Sequence, residues 1–140
     1  MTNRMAGQHT TGMPPTQPIA SIDAIVPLKN EAQHIDQLLA SLRKQTRALD
    51  KIHLVVAPSS DDTLERCREV ARLDPRIRVY ENARGTAPHA MNIGLQASTA
   101  DAWIRIDGHV AAPDTLIEAL ADELETRKVA CVGPTLANGG

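Results

Sequence analysis

The sequence predicts an α/β fold: a mostly parallel sheet with alternating helices, Rossmann-like in its order of elements. Two observations carry this. Short β-branched apolar runs alternate with segments whose apolar residues recur at helical spacing. Strands separated by helices of about 10–15 residues imply parallel β units joined by right-handed crossovers. The length of 140 residues and the 42% apolar content suit one globular domain.

Residues 1–18 are rich in Gly, Thr, Gln and Pro and lack the apolar core of a signal peptide, so they read as a disordered leader before a domain over 19–140. Ile22 to Val26 is a β-branched run ending at Pro27, a buried strand. Ile35, Leu38, Leu39 and Leu42 form one apolar helix stripe, with Asn30 placed to cap it and Glu31 suited to its first turn. Ile52 to Val56 is a second strand. Ser59, Ser60, Asp61 and Asp62 supply capping chemistry for a helix carrying Leu64, Cys67, Val70 and Ala71. Ile77 to Tyr80 is a third strand, and Pro88 to Gln96 a helix with Met91 and Leu95 on one side. Ala102 to Asp107 is a strand ending on an acid. Pro113 and Asp114 open a helix with Leu116, Ile117, Leu120 and Leu124, and Val129 to Val132 is a final strand.

Composition excludes several function classes. Lys+Arg 15 against Asp+Glu 17 leaves a net charge of −2, and there is no Phe, one Trp and one Tyr. A nucleic-acid reader needs a basic footprint and stacking rings, so nucleic acid is not expected as a partner. Cys67 and Cys131 lack metal or redox spacing and read as buried hydrophobes in a reducing compartment. No apolar run approaches the ~20 residues that span a bilayer, so a cytoplasmic location is expected.

In open parallel sheets ligands bind beyond the carboxyl ends of the strands. Those ends fall at residues 27–31, 57–63, 82–92 and 107–110. Asp107-Gly108-His109 sets a carboxylate and an imidazole on one tight turn, suited to Mn2+ or, with more oxygen ligands, Mg2+. The same spacing equally suits a capping Asp107 and a solvated His109. Asp61 and Asp62 suit ordinary helix caps. Asn82, Arg84, Gly85 and Asn92 form a donor-rich segment in which Arg84 is free to meet a phosphate. There is no GxGxxG after the first strand and no GxxxxGK[ST], which disfavours dinucleotide enzymes and P-loop NTPases. His9, His34, His53 and His89 carry little by pattern.

The succession IVPLKNEAQHIDQLLASLRKQT, VVAPSSDDT, DPRIRVYENARGTAPHAMNIGL and WIRIDGHVAAPDTL resembles glycosyltransferase family 2, of the GT-A fold, over about residues 20–136. Within it the likeness is to bacterial succinoglycan-biosynthesis-type exopolysaccharide glucosyltransferases. The resemblance implies an inverting enzyme of exopolysaccharide or envelope glycan synthesis. It would bind a nucleotide-diphosphate sugar, with UDP as the expected nucleotide, and pass the sugar to a glycan or lipid-linked acceptor at the inner face of the cell membrane. It places Pro27, Asn30, Glu31, Asp61, Thr63, Asn82, Arg84, Gly85, Asn92 and Asp107 along the nucleotide-sugar. Asp107 and His109 then hold Mn2+ or Mg2+.

Two features depart from the family pattern. Ala57-Pro58-Ser59 stands where many relatives carry an Asp that binds uracil. The family's acceptor half, with its catalytic base, corresponds to sequence after residue 140, so the catalytic residue is not assigned and a partner chain or oligomer is expected to complete the fold. The alternatives are a non-catalytic nucleotide-sugar-binding module or inactive remnant, and a metal-dependent phosphohydrolase built on Asp107 and His109.

Overall fold

In a computed structural model, residues 19–127 are described; the leader over 1–18 and the strand expected over 129–132, with Cys131, lie outside them. Strands β1 (Ile22–Leu28), β2 (Lys51–Val56), β3 (Ile77–Glu81) and β4 (Ala102–Arg105) alternate with helices α1 (Ile35–Arg43), α2 (Thr63–Leu73), α3 (Ala87–Ala97) and α4 (Leu116–Arg127). The sheet order is β3-β2-β1-β4 and every neighbouring pair is parallel. The α/β fold read from the periodicities is the fold observed.

That order places the reversal of winding between β1 and β4. The chain moves outward from β1 to β3, then crosses back to set β4 on the other side of β1. Loops leaving β1 and β4 diverge there, and a crevice opens between them.

The period of two in each strand divides the sheet into two faces. On one, Ile22, Ala24, Val26 and Leu28 of β1 pack with Ile52, Leu54 and Val56 of β2 against Leu38, Leu39 and Leu42 of α1, Cys67 of α2, and Ile117 and Ala121 of α4. Burial pushes the Cys67 thiol up to about 12, so it acts as an inert small hydrophobe. The other face has a small cluster of Ile25, Val55 and Ala90. There α3 comes so close that a Cβ on Gly94 would stand 2.5 Å from Ile25 Cγ2.

This corrects one expectation. The buried stripe of α3 is Ala90 and Gly94, whereas Met91 is half-buried and Leu95 is exposed. Small residues face the sheet because the backbone approaches it too closely for large ones. In α4 the innermost residues are Ile117 and Ala121. Its start is capped from afar: Gln45 Oε1 accepts from Ile117 N at 2.9 Å while Gln45 Nε2 donates to Pro113 O at 2.6 Å. Among the described residues no helix is long and apolar enough to cross a membrane.

Candidate nucleotide-sugar site

A cleft of about 380 Å³ opens at the switch point, walled by the ends of β1, β2 and β4 and by the start of α3. Arg105, Asp107 and His109 line it from β4 and its turn, Lys29 and Glu31 from the end of β1, and the apolar residues Pro27, Val55, Ala57, Ala87 and Ala90 from β1, β2 and α3. A larger groove of about 540 Å³ lies between α1 and α2, and four of its five charged side chains are ion-paired. There Arg66 pairs with Asp36 and Glu69, and Arg43 with Asp74.

β4 ends at Arg105, so Asp107 stands two residues beyond it, in the turn. Ile106 N–H donates to Ile25 O at 3.1 Å, which continues the β1–β4 pairing and delivers the turn to the end of β1. A Cβ on Gly108 would overlap Leu28 Cδ2 and come within 3.2 Å of Glu31 Cγ, so only glycine lets the turn lie this close. Glu31 sits between two imidazoles: Oε1 is 2.8 Å from His34 Nδ1, and Oε2 is 3.8 Å from His109 Nδ1. Arg105 Nε donates to Asp107 Oδ1 at 3.3 Å.

Among the described residues no three His, Cys, Asp or Glu side chains form a cage for an ion. The donor set, one carboxylate and one imidazole on a half-exposed turn, instead fits a divalent ion shared with substrate oxygens and water.

On the far wall, Asn82 is buried, and its side chain builds the loop. Nδ2 donates to Thr86 O at 2.9 Å, and Oδ1 accepts from Gly85 N at 3.3 Å. Gly85 has φ +77°, which glycine adopts without strain, and it lines the cleft. Thr86 caps α3 by accepting from His89 N. Thus Pro27, Glu31, Asn82, Gly85, Asp107 and His109 come together around one cleft.

Five candidates do not line it: Asn30, Asp61, Thr63, Arg84 and Asn92. Arg84 and Asn92 are exposed and lie off the cleft, Arg84 beside the Gly85 turn and Asn92 on a side of α3 turned from Ala90. Asn30 and Asp61 serve a latch between the loops after β1 and β2. Asn30 has φ +54°, a conformation asparagine tolerates, and its Oδ1 accepts from Ser60 N at 2.7 Å and Ser60 Oγ at 3.1 Å. Ser59 Oγ accepts from Asn30 N, Thr63 Oγ1 from Glu31 N, and Asp61 Oδ2 from Ala32 N.

Asn30 therefore does not cap α1, which begins at Ile35 after a 3-10 turn over Ala32–His34. Glu31 precedes that turn and faces the two histidines, rather than lying within the first turn of α1. At the start of α2, Asp61 Oδ1 accepts from Thr63 N at 3.0 Å, whereas Asp62, next to the helix, makes no side-chain cap. The Thr63 hydroxyl bond holds the Asp61 carboxyl below the usual carboxylate range.

Sequence pattern missed Lys29 and Arg105, the two cleft cations. It also passed over His53, which belongs to a buried polar chain on the α3 face. His53 Nε2 lies 2.8 Å from Asp23 Oδ2 and Nδ1 lies 2.9 Å from Tyr80 Oη, while Ser98 Oγ donates to Asp23 Oδ2 at 2.7 Å. Burial pushes the Asp23 carboxyl up, but the bonds from His53 and Ser98 outweigh it and hold the group below the carboxylate range. Ser98 ends α3, so this chain pins one end of the helix whose other end walls the cleft. The signal available was two polar residues, Asp23 and His53, inside apolar strands.

A sequence model described as glycosyl transferase family 2 matches residues 23–140. The chain belongs to this family. It is 31% identical over 102 residues to the succinoglycan biosynthesis protein ExoA of Rhizobium meliloti (strain 1021), covering 71% of this chain and 31% of that protein. It is 31% identical over 116 residues to the uncharacterized glycosyltransferase EpsJ of Bacillus subtilis (strain 168), covering 83% of this chain and 33% of EpsJ. This family 2 chain thus spans about a third of the length of the curated relatives it matches.

Among solved structures, the mannosyltransferase PcManGT of Pyrobaculum calidifontis, in complex with GDP-Man and Mn2+, superposes with a TM-score of 0.64 at 26% identity, over 80% of this chain and 33% of that one. Glucosyl-3-phosphoglycerate synthase of Mycobacterium tuberculosis, in complex with UDP, shares the fold with a TM-score of 0.62 at 21% identity, over 76% of this chain and 40% of that one.

Proposed function

We propose that this chain forms the nucleotide-sugar-binding part of an inverting glycosyltransferase acting in exopolysaccharide or envelope glycan synthesis. The observation that carries this reading is the Asp107-Gly108-His109 turn at the switch point, lining a cleft that receives charged residues from β4 and β1 and apolar ones from β2 and α3. A nucleoside diphosphate likewise carries a charged part and a less polar one. The PcManGT complex with GDP-Man and Mn2+ supports it, as does the likeness to ExoA for the biosynthetic setting.

In this reading Asp107 and His109 would hold Mn2+ or Mg2+. Bound there, the ion would neutralise charge on the departing diphosphate. Lys29 and Arg105 add positive charge for phosphate oxygens. Glu31 stands beside His109, and Asn82 with Gly85 shapes the wall beside the nucleoside. The acceptor hydroxyl oxygen attacks the anomeric carbon as the bond to the β-phosphate breaks, and its proton passes to a carboxylate base. Glu31 is hydrogen-bonded to His34 and Asp107 to Arg105, so we place that base, and the glycan or lipid-linked acceptor, outside the described residues.

Calorimetric titration of UDP and GDP into the protein, with and without Mn2+, tests this. Mn2+-dependent binding is expected for at least one nucleotide, weakened at least about tenfold by Asp107→Ala. Folded protein that gives no heat with either, or binding indifferent to both Mn2+ and Asp107, would sink the proposal.

A further inference from the structure

We infer that Arg105 is an exchangeable counter-ion: it holds the Asp107 carboxylate in the ligand-free cleft and passes to the diphosphate when that binds, so that each of metal and nucleotide strengthens the binding of the other. This rests on the nucleotide-sugar reading above and concerns how its two ligands are coupled.

Three observations carry it. Arg105 Nε donates to Asp107 Oδ1 at 3.3 Å, so the carboxylate of the metal-binding turn already has a cation beside it. Among the charged residues of the cleft, Lys29 and Arg105 are matched by Glu31 and Asp107, which leaves no excess of negative charge to draw in a divalent ion. Among the described residues no three His, Cys, Asp or Glu side chains form a cage that could offset this. An ion entering alone has to displace the guanidinium from Asp107 and then stand beside it.

The pair is also easily parted. Its side chains are 48% and 50% exposed and joined through a single donor rather than a bidentate fork, so their mutual attraction is weak. A diphosphate carries more charge than one carboxylate and presents oxygens that a guanidinium binds as a fork. Once Arg105 turns to it, Asp107 is released to the ion, and the phosphate oxygens offset the repulsion between ion and guanidinium. Nucleotide thereby strengthens metal binding, and linkage requires the reverse by the same factor. Contact between ion and phosphate supplies a share of this coupling in any variant; the share that belongs to Arg105 is the one its removal takes away.

The test is Mn2+ titration of the nucleotide-free chain, followed by electron paramagnetic resonance, beside calorimetric titration of UDP and GDP without and with Mn2+. In Arg105→Met, Mn2+ is expected to bind the nucleotide-free protein at least about threefold tighter, and the factor by which Mn2+ strengthens nucleotide binding is expected to fall by the same amount. Arg105→Lys keeps the charge and is expected to stay within about twofold of the unaltered chain in both. A residue that served only the fold would lose Mn2+ and nucleotide affinity together when replaced. Folded Arg105→Met with unchanged or weaker Mn2+ affinity, or with an unchanged factor, overturns the inference, as does Arg105→Lys behaving like Arg105→Met. Mn2+-dependent nucleotide binding by the unaltered chain leaves the nucleotide-sugar reading intact in those cases. Where Mn2+ alone binds too weakly to detect, the factor decides, and should Arg105→Met not fold, Arg105→Gln carries the same expectations. Failure of the unaltered chain to bind either nucleotide removes the nucleotide-sugar reading and this inference with it.

Discussion

The two faces of the sheet are built on different terms. The face under α1, α2 and α4 is a continuous apolar core, with Leu39, Ile52 and Leu54 fully buried. The face under α3 has three buried apolar residues and, beside them, the Ser98–Asp23–His53–Tyr80 chain. The first face uses non-directional burial and tolerates adjustment. The second uses directional bonds that hold α3 in one position, and α3 is the helix that walls the cleft. Stability and site geometry are thus divided between the faces.

The sharpest way to break this comparison is to remove the polar pin. Asp23→Ala leaves His53 without its buried partner and is expected to cost about 3–5 kcal/mol. That is comparable to the about 2–5 kcal/mol expected for Leu39→Ala on the apolar face, both read by urea denaturation. Because the native Asp23 carboxyl is held below its ordinary range, its stabilisation is complete above that range and is lost as pH falls through the lowered value. Asp23→Asn should therefore show a flatter loss of stability below about pH 5 than the unaltered protein. Equal slopes would show that the pin contributes nothing in acid.

A smaller effect tests whether α3 links packing to the site. Gly94→Ala drives a Cβ to 2.5 Å from Ile25 Cγ2, which requires the buried Ile25 side chain or α3 to shift. About 1–3 kcal/mol of destabilisation is expected, with weaker nucleotide binding at the same time. Lost stability with unchanged affinity would separate the two faces' roles from the cleft.

The smallest effect concerns the latch. Asn30→Ala puts an alanine at φ +54° and deletes the bonds from Ser60, for an expected cost of about 1–2 kcal/mol. Asn30→Gly restores the backbone share, so a smaller loss in Asn30→Gly is the sign that conformation rather than bonding dominates.

Much of the architecture was legible in order of residues. Ile35, Leu38, Leu39 and Leu42 announce the buried stripe of α1, and the apolar runs announce each described strand. Glu31, Asn82, Gly85, Asp107 and His109 were found because they follow strands, and parallel strands deliver their carboxyl ends to one edge. Asn30 was misread as the cap of α1 because local chemistry is ambiguous: a short polar side chain at a loop suits a cap or a neighbouring loop equally. Lys29 and Arg105 were missed because exposed cations carry no periodic signal.

The sequence by itself determined the alternation of strands and helices and placed an acid-Gly-His turn after the fourth strand, because periodicity and turn chemistry are local properties. Only the tertiary structure decided that Gln45 caps α4 from 72 residues away, that Asp23 meets His53, and that Asn30 spends its amide on Ser60. Those pairings depend on strand order, register and the close approach of α3 and the loops. They are set by how whole elements pack, which no window of neighbouring residues contains.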